Sequence, residues 1–369
     1  MKLEAVELIR LNVPLKSAFR TSFSSVNLHQ VVWAHAITDV GEGWAECGAN
    51  ERPDYSSEYH TGAMAVLREF ILPDLFALGN DLTAEAVAPA LHWMKGHRMA
   101  KHAIETALLD AQLRASNTSF AQYLGSTKTE VPSGVSVGIM DSIPELLGFV
   151  EDYLKQGYVR IKLKIEPGWD YEAVKAVRDT FGWDIPLQVD ANTAYTRNDF
   201  DLLKRLDEFN LLLIEQPLNE EDILGHRKLA DYIETPVCLD ESIVSADGAA
   251  DAIEMGAVEI INIKPSRVGG YIESKKIHDV AVANSIPVWC GGMLETGIGR
   301  AANLALAAMP GFTLPGDTSA SSRYFETDLT TPFVLENGHI KVPTGPGIGI
   351  DPIPEIIERF AVSRELIKA

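Results

Sequence analysis

The chain has 369 residues, enough for two domains or for one barrel with an added domain. Hydrophobic residues make up 46% and charged residues 23% of it, the balance of a globular protein rather than a disordered one. Its 52 acidic and 32 basic side chains give a formal net charge of -20. Such a surface repels nucleic acid and anionic membranes, so neither is an expected partner.

The N-terminal residues 1–8 alternate polar and apolar like a strand, unlike a signal peptide. No apolar stretch approaches the roughly 20 residues of a membrane-spanning helix. Cys47, Cys238 and Cys290 lie far apart, and an odd number without paired spacing indicates reduced thiols. We therefore expect a cytoplasmic protein with buried structural cysteines, although a catalytic thiol stays open.

Residues 1–125 predict an α+β domain. Its strand patterns cover 2–11, 29–38 and 43–48, and its helical patterns cover about 55–71, 83–94 and 98–115. Residues 126–325 then alternate short apolar runs with helical stretches. The eight runs begin roughly 25 residues apart, at 134–137, 159–165, 187–189, 211–214, 237–239, 260–263, 288–289 and 312–314.

Strands that alternate with helices at this period form parallel units. Eight of them predict a (β/α)8 barrel of the TIM type, an α/β fold capped by the N-terminal domain. An open doubly wound sheet would have the same period. The C-terminal residues 326–369 do not continue the alternation of strands and helices and are expected to return to the first domain.

Charged side chains end five successive predicted strands. They are Lys162 with Lys164, then Asp190, Glu215, Asp240 and Lys264. From Lys164 onward the intervals are 26, 25, 25 and 24 residues, so one strand-helix unit separates each group from the next. In a parallel barrel all these ends meet on one face, where catalytic groups lie.

The three acids are expected to bind a divalent metal ion. Carboxylates from adjacent strand ends suit Mg²⁺ or Mn²⁺, and there is no Cys/His set typical of zinc. Any one of them alone would be interpreted as a helix cap or turn residue. The regular spacing of Asp190, Glu215 and Asp240 favours the metal site.

Alternation along residues 159–165 puts Lys162 and Lys164 on the face opposite to the apolar side chains. The lysines then point into the barrel, where carboxylates or a metal must compensate for burial. A partly desolvated lysine near a metal and near other cations, such as Arg267, should have a lowered pKa and can act as a base. Solvated strand ends are the alternative interpretation.

This combination suits removal of a proton adjacent to a carboxylate. Removing that proton builds a dianionic enediolate, whose charge a metal on the carboxylate neutralises. One lysine would take the proton, and a lysine on the opposite face would return one or shield the charge.

The order Lys-x-Lys, Asp, Glu, Asp, Lys resembles the muconate-lactonizing subgroup of the enolase superfamily. Longer strings are similar to the o-succinylbenzoate synthases that also racemise N-acylamino acids. They are GHRMAK (96–101), YVRIKLKIEPG (158–168), VDANTAY (189–195), LDESIVS (239–245), IKPSRVGG (263–270) and PVWCGGMLETGIG (287–299). The resemblance covers nearly the whole chain.

The resemblance implies Asp190, Glu215 and Asp240 as metal ligands, with Lys164 and Lys264 as the acid/base pair. It also implies a substrate pocket formed by Lys162, Ser136, Asn192, Gly291, Gly292, Met293, Phe19, Arg20 and Arg267. Residues at about 18–26 resemble the family's mobile lid, with an ordinary surface loop as the alternative. Arg267 would tune Lys264, unless it is simply an exposed arginine.

The implied activity is dehydration of 2-succinyl-6-hydroxy-2,4-cyclohexadiene-1-carboxylate in menaquinone biosynthesis, with racemisation of N-acyl or N-succinyl amino acids in the same pocket. A dedicated N-acylamino acid racemase, a muconate cycloisomerase and a non-catalytic carboxylate-binding barrel stay open. The chain lacks the Asp-x-Asp of dipeptide epimerases, because Asp317-Thr318-Ser319 stands there. A homo-oligomer acting on a small carboxylate is expected.

Overall fold

The N-terminal sheet contains three antiparallel strands from the start of the chain, β1 (Leu3–Arg20), β2 (Ser25–Thr38) and β3 (Gly41–Cys47), and a fourth from its C-terminal part. The computed structural model describes residues 1–369. β1 pairs with β2 as far as Pro14 and, after an irregularity, again at Phe19 and Arg20, opposite Val26 and Ser25. The predicted lid loop is therefore wrong in its form: it is the end of a hairpin, in which only residues 21–24 lie outside the two strands. Pairing resumes at Phe19, opposite Val26, because Phe19 is buried and its ring packs edge-on against Tyr324 at 5.9 Å.

Helices cover one face of this sheet. They are α1 (His60–Val66), which continues as a π-helical turn (Leu67–Ile71), α2 (Leu72–Ala77), α3 (Ala84–Ala90), α4 (Arg98–Ala115) and α5 (Phe120–Leu124). α4 lies against β3 at Gly43, where a Cβ would stand 2.1 Å from the carbonyl oxygen of Ala107. Only glycine permits this approach. The helix predicted from residue 55 begins at His60, and the loop before it reaches the barrel.

After the short strand β4 (Glu130–Pro132), seven parallel strands form the barrel wall in sequence order. They are β5 (Gly134–Val137), β6 (Arg160–Lys164), β7 (Leu187–Asp190), β8 (Ile214–Glu215), β9 (Val237–Leu239), β10 (Ile260–Ile263) and β11 (Val288–Cys290). All seven are buried along their length. This is the near-continuous burial of a parallel sheet covered by helices.

The eighth predicted strand, 312–314, is not a regular strand. Single bridges join Phe312 to Val288 and Gly316 to Ser133, so this segment closes the barrel between β11 and β5. Pro315 lacks the N–H that a ladder needs, and a Cβ on Gly316 would stand 2.8 Å from the Cys290 carbonyl oxygen. The predicted (β/α)8 barrel of the TIM type is confirmed with this modification.

Helices surround the barrel: α6 (Ile143–Gln156), α7 (Tyr171–Phe181), α8 (Phe200–Lys204), α9 (Ile223–Ala230), α10 (Ala246–Glu254), α11 (Pro265–Val268), α12 (Tyr271–Ala283) and α13 (Gly297–Ala307). α6 shows why they form. The Ser142 side chain caps its first turn, Leu146 and Val150 are buried towards the barrel, and Gly157 ends it with φ 94. One continuous hydrophobic core joins these helices to the N-terminal sheet.

The C-terminal residues return to the N-terminal domain. β12 (His339–Lys341) pairs with β4, and after α14 (Pro354–Phe360) the strand β13 (Ala361–Lys368) pairs antiparallel with β1. The N-terminal sheet therefore has the order β13-β1-β2-β3. No helix has the length and apolarity needed to cross a bilayer.

Candidate active site

A cavity lies between the tip of the β1–β2 hairpin (residues 19–26) and the C-terminal ends of the barrel strands. The predicted site residues that line it are Phe19, Ser136, Lys162, Lys164, Asn192, Lys264, Gly292 and Met293. The structure thus brings residues from five barrel strands or their following loops together with one residue of the hairpin. This is the face of a TIM-type barrel on which catalytic groups are found.

Lys164 and Lys264 enter the cavity from opposite sides. Lys164 ends β6 and Lys264 directly follows β10, which are the second and sixth of eight positions around the barrel. Both lysines are buried, with 7% and 5% of their surface exposed, as is Lys162 at 2%. The solvated-lysine alternative is therefore wrong, and a group bound between the two strands would meet an amine on each face.

Each buried lysine contacts a carboxylate. Lys164 Nζ lies 2.5 Å from Asp190 Oδ2, and Lys264 Nζ lies 2.7 Å from Asp240 Oδ2. Lys162 Nζ lies 3.0 Å from Glu215 Oε2. The charges that the sequence places on successive strands therefore compensate one another inside the barrel, which is what makes their burial tolerable.

The three predicted metal ligands are fully buried, at 0% exposure each. As they stand, no three acidic or histidine side chains have the spacing of a metal-binding cluster, because these carboxylates turn towards the lysines. The donor set nevertheless fits Mg²⁺ or Mn²⁺: three carboxylates from adjacent strand ends, and beside them the buried Glu241 Oε2, which receives no hydrogen bond. Their role as ligands stays a prediction.

The lysines shift the pKa values of these acids in different directions. Burial disfavours the charged form of Asp190, but the ammonium groups of Lys164 and Lys162 outweigh it and hold its pKa below the usual range. Burial and the neighbouring Asp190 charge raise the pKa of Glu215, because the lysines offset them only in part. Burial also raises the pKa of Glu241 to about 7.

The two cavity lysines also differ. Burial lowers the pKa of Lys164, and the nearby Asp190 offsets this only in part. Burial acts in the same direction on Lys264, but Tyr55 and the carboxylates around it outweigh it and raise its pKa. The predicted lowering therefore holds for Lys164 and not for Lys264, whose surroundings carry more negative charge than the sequence shows.

Three predicted pocket residues do not line the cavity. Arg267 is buried behind Asp240, which its Nη1 contacts, so the exposed-arginine alternative is wrong. Burial lowers its pKa. Arg20 points outward and lies 3.0 Å from Glu166. Gly291 packs against Asn262, where a Cβ would stand 2.3 Å from the amide oxygen.

The hairpin tip is docked on the barrel. Ser22 Oγ donates to the carbonyl oxygens of Ala191 and Asn192 at 3.1 and 3.3 Å. The Ile139 N–H donates to the Arg20 carbonyl oxygen at 2.9 Å. These contacts hold the hairpin over the ends of β5 and β7 and separate the cavity from solvent on that side.

Several cavity residues were not predicted from the sequence. Tyr55 OH accepts a hydrogen bond from Lys264 Nζ at 3.2 Å and donates one to Asp240 Oδ1 at 3.3 Å. Asp317 lies 2.6 Å from Lys162, and Glu295 lines the cavity beside Met293. The sequence position of Asp317 could have indicated a site residue, since it directly follows the eighth barrel segment. Nothing in the sequence indicated Tyr55, because its contact with Lys264 joins residues far apart in the chain.

The arrangement of a capped barrel, lysines on opposite strands and three buried carboxylates agrees with the family comparison. Residues 5–125 match the mandelate racemase / muconate lactonizing enzyme N-terminal domain. Residues 145–356 match the enolase C-terminal domain-like family. The chain therefore belongs to the enolase superfamily, and the predicted resemblance is confirmed.

Within the superfamily, the chain is similar to enzymes of two names. An N-succinylamino acid racemase of Amycolatopsis sp. is 61% identical over 364 residues, which cover 99% of each chain. The o-succinylbenzoate synthase of Bacillus subtilis strain 168 is 42% identical over 369 residues, covering 99% of this chain and 98% of the relative. A solved enolase-superfamily structure from Listeria innocua has a TM-score of 0.95 at 39% identity, covering 100% of this chain and 99% of that one.

Proposed function

We propose that this protein is an o-succinylbenzoate synthase that also racemises N-succinyl and other N-acyl amino acids. The observation that carries the proposal is the pair of buried lysines, Lys164 and Lys264, on opposite sides of one covered cavity. The full-length similarity to enzymes of both names supports it. Both reactions begin with loss of a proton next to a carboxylate, so one site can perform both.

In the dehydration, neutral Lys164 takes the α-proton of 2-succinyl-6-hydroxy-2,4-cyclohexadiene-1-carboxylate. The resulting ammonium returns that proton to the departing hydroxyl on the same face, the C–O bond breaks, and water leaves as the ring becomes aromatic. Lys264 remains an ammonium on the opposite face, where its charge stabilises the anionic intermediate. Lys162 faces the substrate carboxylate from the floor of the cavity.

In the racemisation, one lysine removes the α-proton and the other delivers a proton to the opposite face. The exchange inverts the configuration and leaves the two lysines with exchanged protonation states. Because Lys164 and Lys264 stand four barrel positions apart, neither needs to move around the substrate. The docked hairpin excludes water that would otherwise protonate the intermediate on either face.

Asp190, Glu215 and Asp240 would hold Mg²⁺ or Mn²⁺, which when bound supplies positive charge to the substrate carboxylate. We also propose that the protein acts as a homo-oligomer in the cytoplasm on small carboxylates. Three free, buried cysteines support a reducing compartment. The proposed domains are an N-terminal domain at 1–125, a barrel at 126–325 and a returning segment at 326–369.

The test is dehydration followed by ultraviolet absorbance, first with Mg²⁺ and then with excess chelator. We expect rapid loss of the cyclohexadiene absorbance that chelator abolishes and added Mg²⁺ or Mn²⁺ restores. Polarimetry on single enantiomers of N-succinyl amino acids measures racemisation in the same preparation. Folded, metal-supplied protein without dehydration would refute the synthase assignment, and absence of both reactions would refute the proposal as a whole.

A further inference from the structure

Asp317 lies between two buried cations on the floor of the cavity. Its Oδ1 accepts a hydrogen bond from Arg160 Nη2 at 2.9 Å, and its Oδ2 lies 2.6 Å from Lys162 Nζ. The side chains of Arg160, Lys162 and Asp317 are 0%, 2% and 10% exposed. Little solvent screens these contacts, so the pairs are stronger than surface ion pairs.

The backbone around Asp317 is fixed on both sides. Its N–H donates to the Cys290 carbonyl oxygen at 2.9 Å, and its own carbonyl oxygen accepts from Arg300 Nη1 at 2.8 Å. Arg160 is confined as well, because a Cβ on Gly134 would stand 2.2 Å from its Cζ. The carboxylate therefore has a set position and cannot follow Lys162 if that lysine moves.

Three carboxylates lie around the Lys162 ammonium group. Its Nζ lies 2.6 Å from Asp317, 3.0 Å from Glu215 and 3.3 Å from Asp190. Glu215 and Asp190 are two of the three proposed metal ligands, whereas Asp317 is not one. An ammonium group that bonds Glu215 and Asp190 more closely would compete with a divalent cation for the same oxygen atoms.

We propose that Asp317 is a positioning residue: its 2.6 Å contact holds the Lys162 ammonium group and keeps it from closing further on Glu215 and Asp190, which lie at 3.0 and 3.3 Å, and so leaves those carboxylates to the metal ion. The same contact keeps Lys162 on the floor of the cavity, where it faces the substrate carboxylate. This inference rests on the proposed metal dependence. It adds that the fixed carboxylate after the eighth barrel segment acts on the metal site through Lys162 rather than by coordination.

The test is direct Mn²⁺ binding to the full-length, metal-stripped protein, followed by the electron paramagnetic resonance signal of free Mn²⁺. Asp317→Asn keeps the shape of the side chain but removes the charge that holds Lys162. We expect Mn²⁺ affinity to fall by about 10–100-fold, the range for residues that orient metal ligands. Asp328→Asn is the matched control, because Asp328 is also a buried acid near this face but bonds Ser321 and backbone N–H groups, not lysine.

Lys162→Met separates the proposed route from a direct effect of the lost charge. This variant should bind Mn²⁺ at least as tightly as wild type, because the competing cation is gone. Adding Asp317→Asn to it should then change the affinity less than threefold. An equally large loss in the Lys162→Met background would overturn the proposal, as would unchanged affinity in Asp317→Asn alone.

Thermal unfolding is measured for every variant. If Asp317→Asn does not fold, Lys162→Met alone still tests whether Lys162 competes with the metal ion. Weaker Mn²⁺ binding by that variant would contradict such competition and overturn the proposal. Failure of this inference is distinguishable from failure of the proposed function. Wild-type protein that binds no Mn²⁺ refutes the metal dependence itself, whereas wild type that binds it normally while Asp317→Asn does so equally well refutes only the positioning role.

Discussion

Replacing Lys264 by alanine should separate the two halves of the racemisation. The substitution does not leave a buried carboxylate unpaired, because Asp240, the partner of Lys264, also contacts the buried cation of Arg267. The stability cost should therefore stay below the roughly 3–5 kcal/mol of stranding a buried charge. Lys164 keeps its contacts with Asp190 and Asn192 at 2.5 and 2.7 Å, so the remaining base stays in place.

Racemisation by Lys264→Ala should fall by about 10²–10⁴-fold, the contribution of a positioned acid or base. Lys164 should still exchange the α-proton of the enantiomer that presents it. In D₂O, proton NMR of N-succinyl amino acids should show exchange of one enantiomer only. Lys164→Ala should exchange only the other. Lys175→Ala, an exposed lysine paired with Asp179 on α7, is the control and should retain full activity.

Exchange of both enantiomers by either variant would refute the assignment of one lysine to each face. So would exchange of the same enantiomer by both variants. A Lys264→Ala variant that racemises at more than about a tenth of the wild-type rate would show that Lys264 is not the second acid/base group, since a lost acid or base costs at least about 10²-fold.

Three further outcomes are expected. Ser22→Ala removes the hydroxyl that donates to two barrel carbonyl oxygens, a loss of about 1 kcal/mol in the docking of the hairpin. KM should therefore rise roughly fivefold. An unchanged KM in steady-state kinetics would contradict the docking role. Burial raises the pKa of Glu105 from 4.5 to about 8, so the folded state binds the proton more tightly than the unfolded chain and stability falls as pH rises across that window. Glu105→Gln should remove this slope, and parallel Tm curves for the two proteins from pH 5 to 8 would refute it. Gly134→Ala places a Cβ against Arg160 and should cost about 1–3 kcal/mol; denaturant unfolding with an unchanged midpoint would exclude that clash.

The barrel and the charged strand ends could be predicted because their information is local. Each strand is a short buried run, and each charged group ends one such run or directly follows it, one strand-helix unit after the last. Alternation within β6 predicts that Lys162 and Lys164 point inward, and both are buried. Nothing about the partner strands is needed for that step, because a parallel barrel brings equivalent ends together.

The closing segment of the barrel, the contact of Tyr55 and the form of the hairpin could not be predicted. They depend on contacts between residues far apart in the sequence. The segment that closes the barrel contains Pro315 and Gly316 and makes single bridges instead of a ladder, so the sequence did not reveal that Asp317 faces Lys162. Tyr55 reaches Lys264 from a loop of the N-terminal domain. The lid was predicted as a loop from its small polar residues, whereas the burial of Phe19 extends the hairpin almost to its tip.

The pairing of β1 with β13 has a consequence for synthesis on the ribosome. β1 is made before the barrel, whereas its outer neighbour β13 follows the whole barrel in the chain. During translation, one edge of β1 therefore lacks its native partner until every barrel strand has been made, and the long separation adds to the entropic cost of closing the sheet. A nascent chain can build its barrel first, and the four-stranded sheet that carries the hairpin is completed only after that.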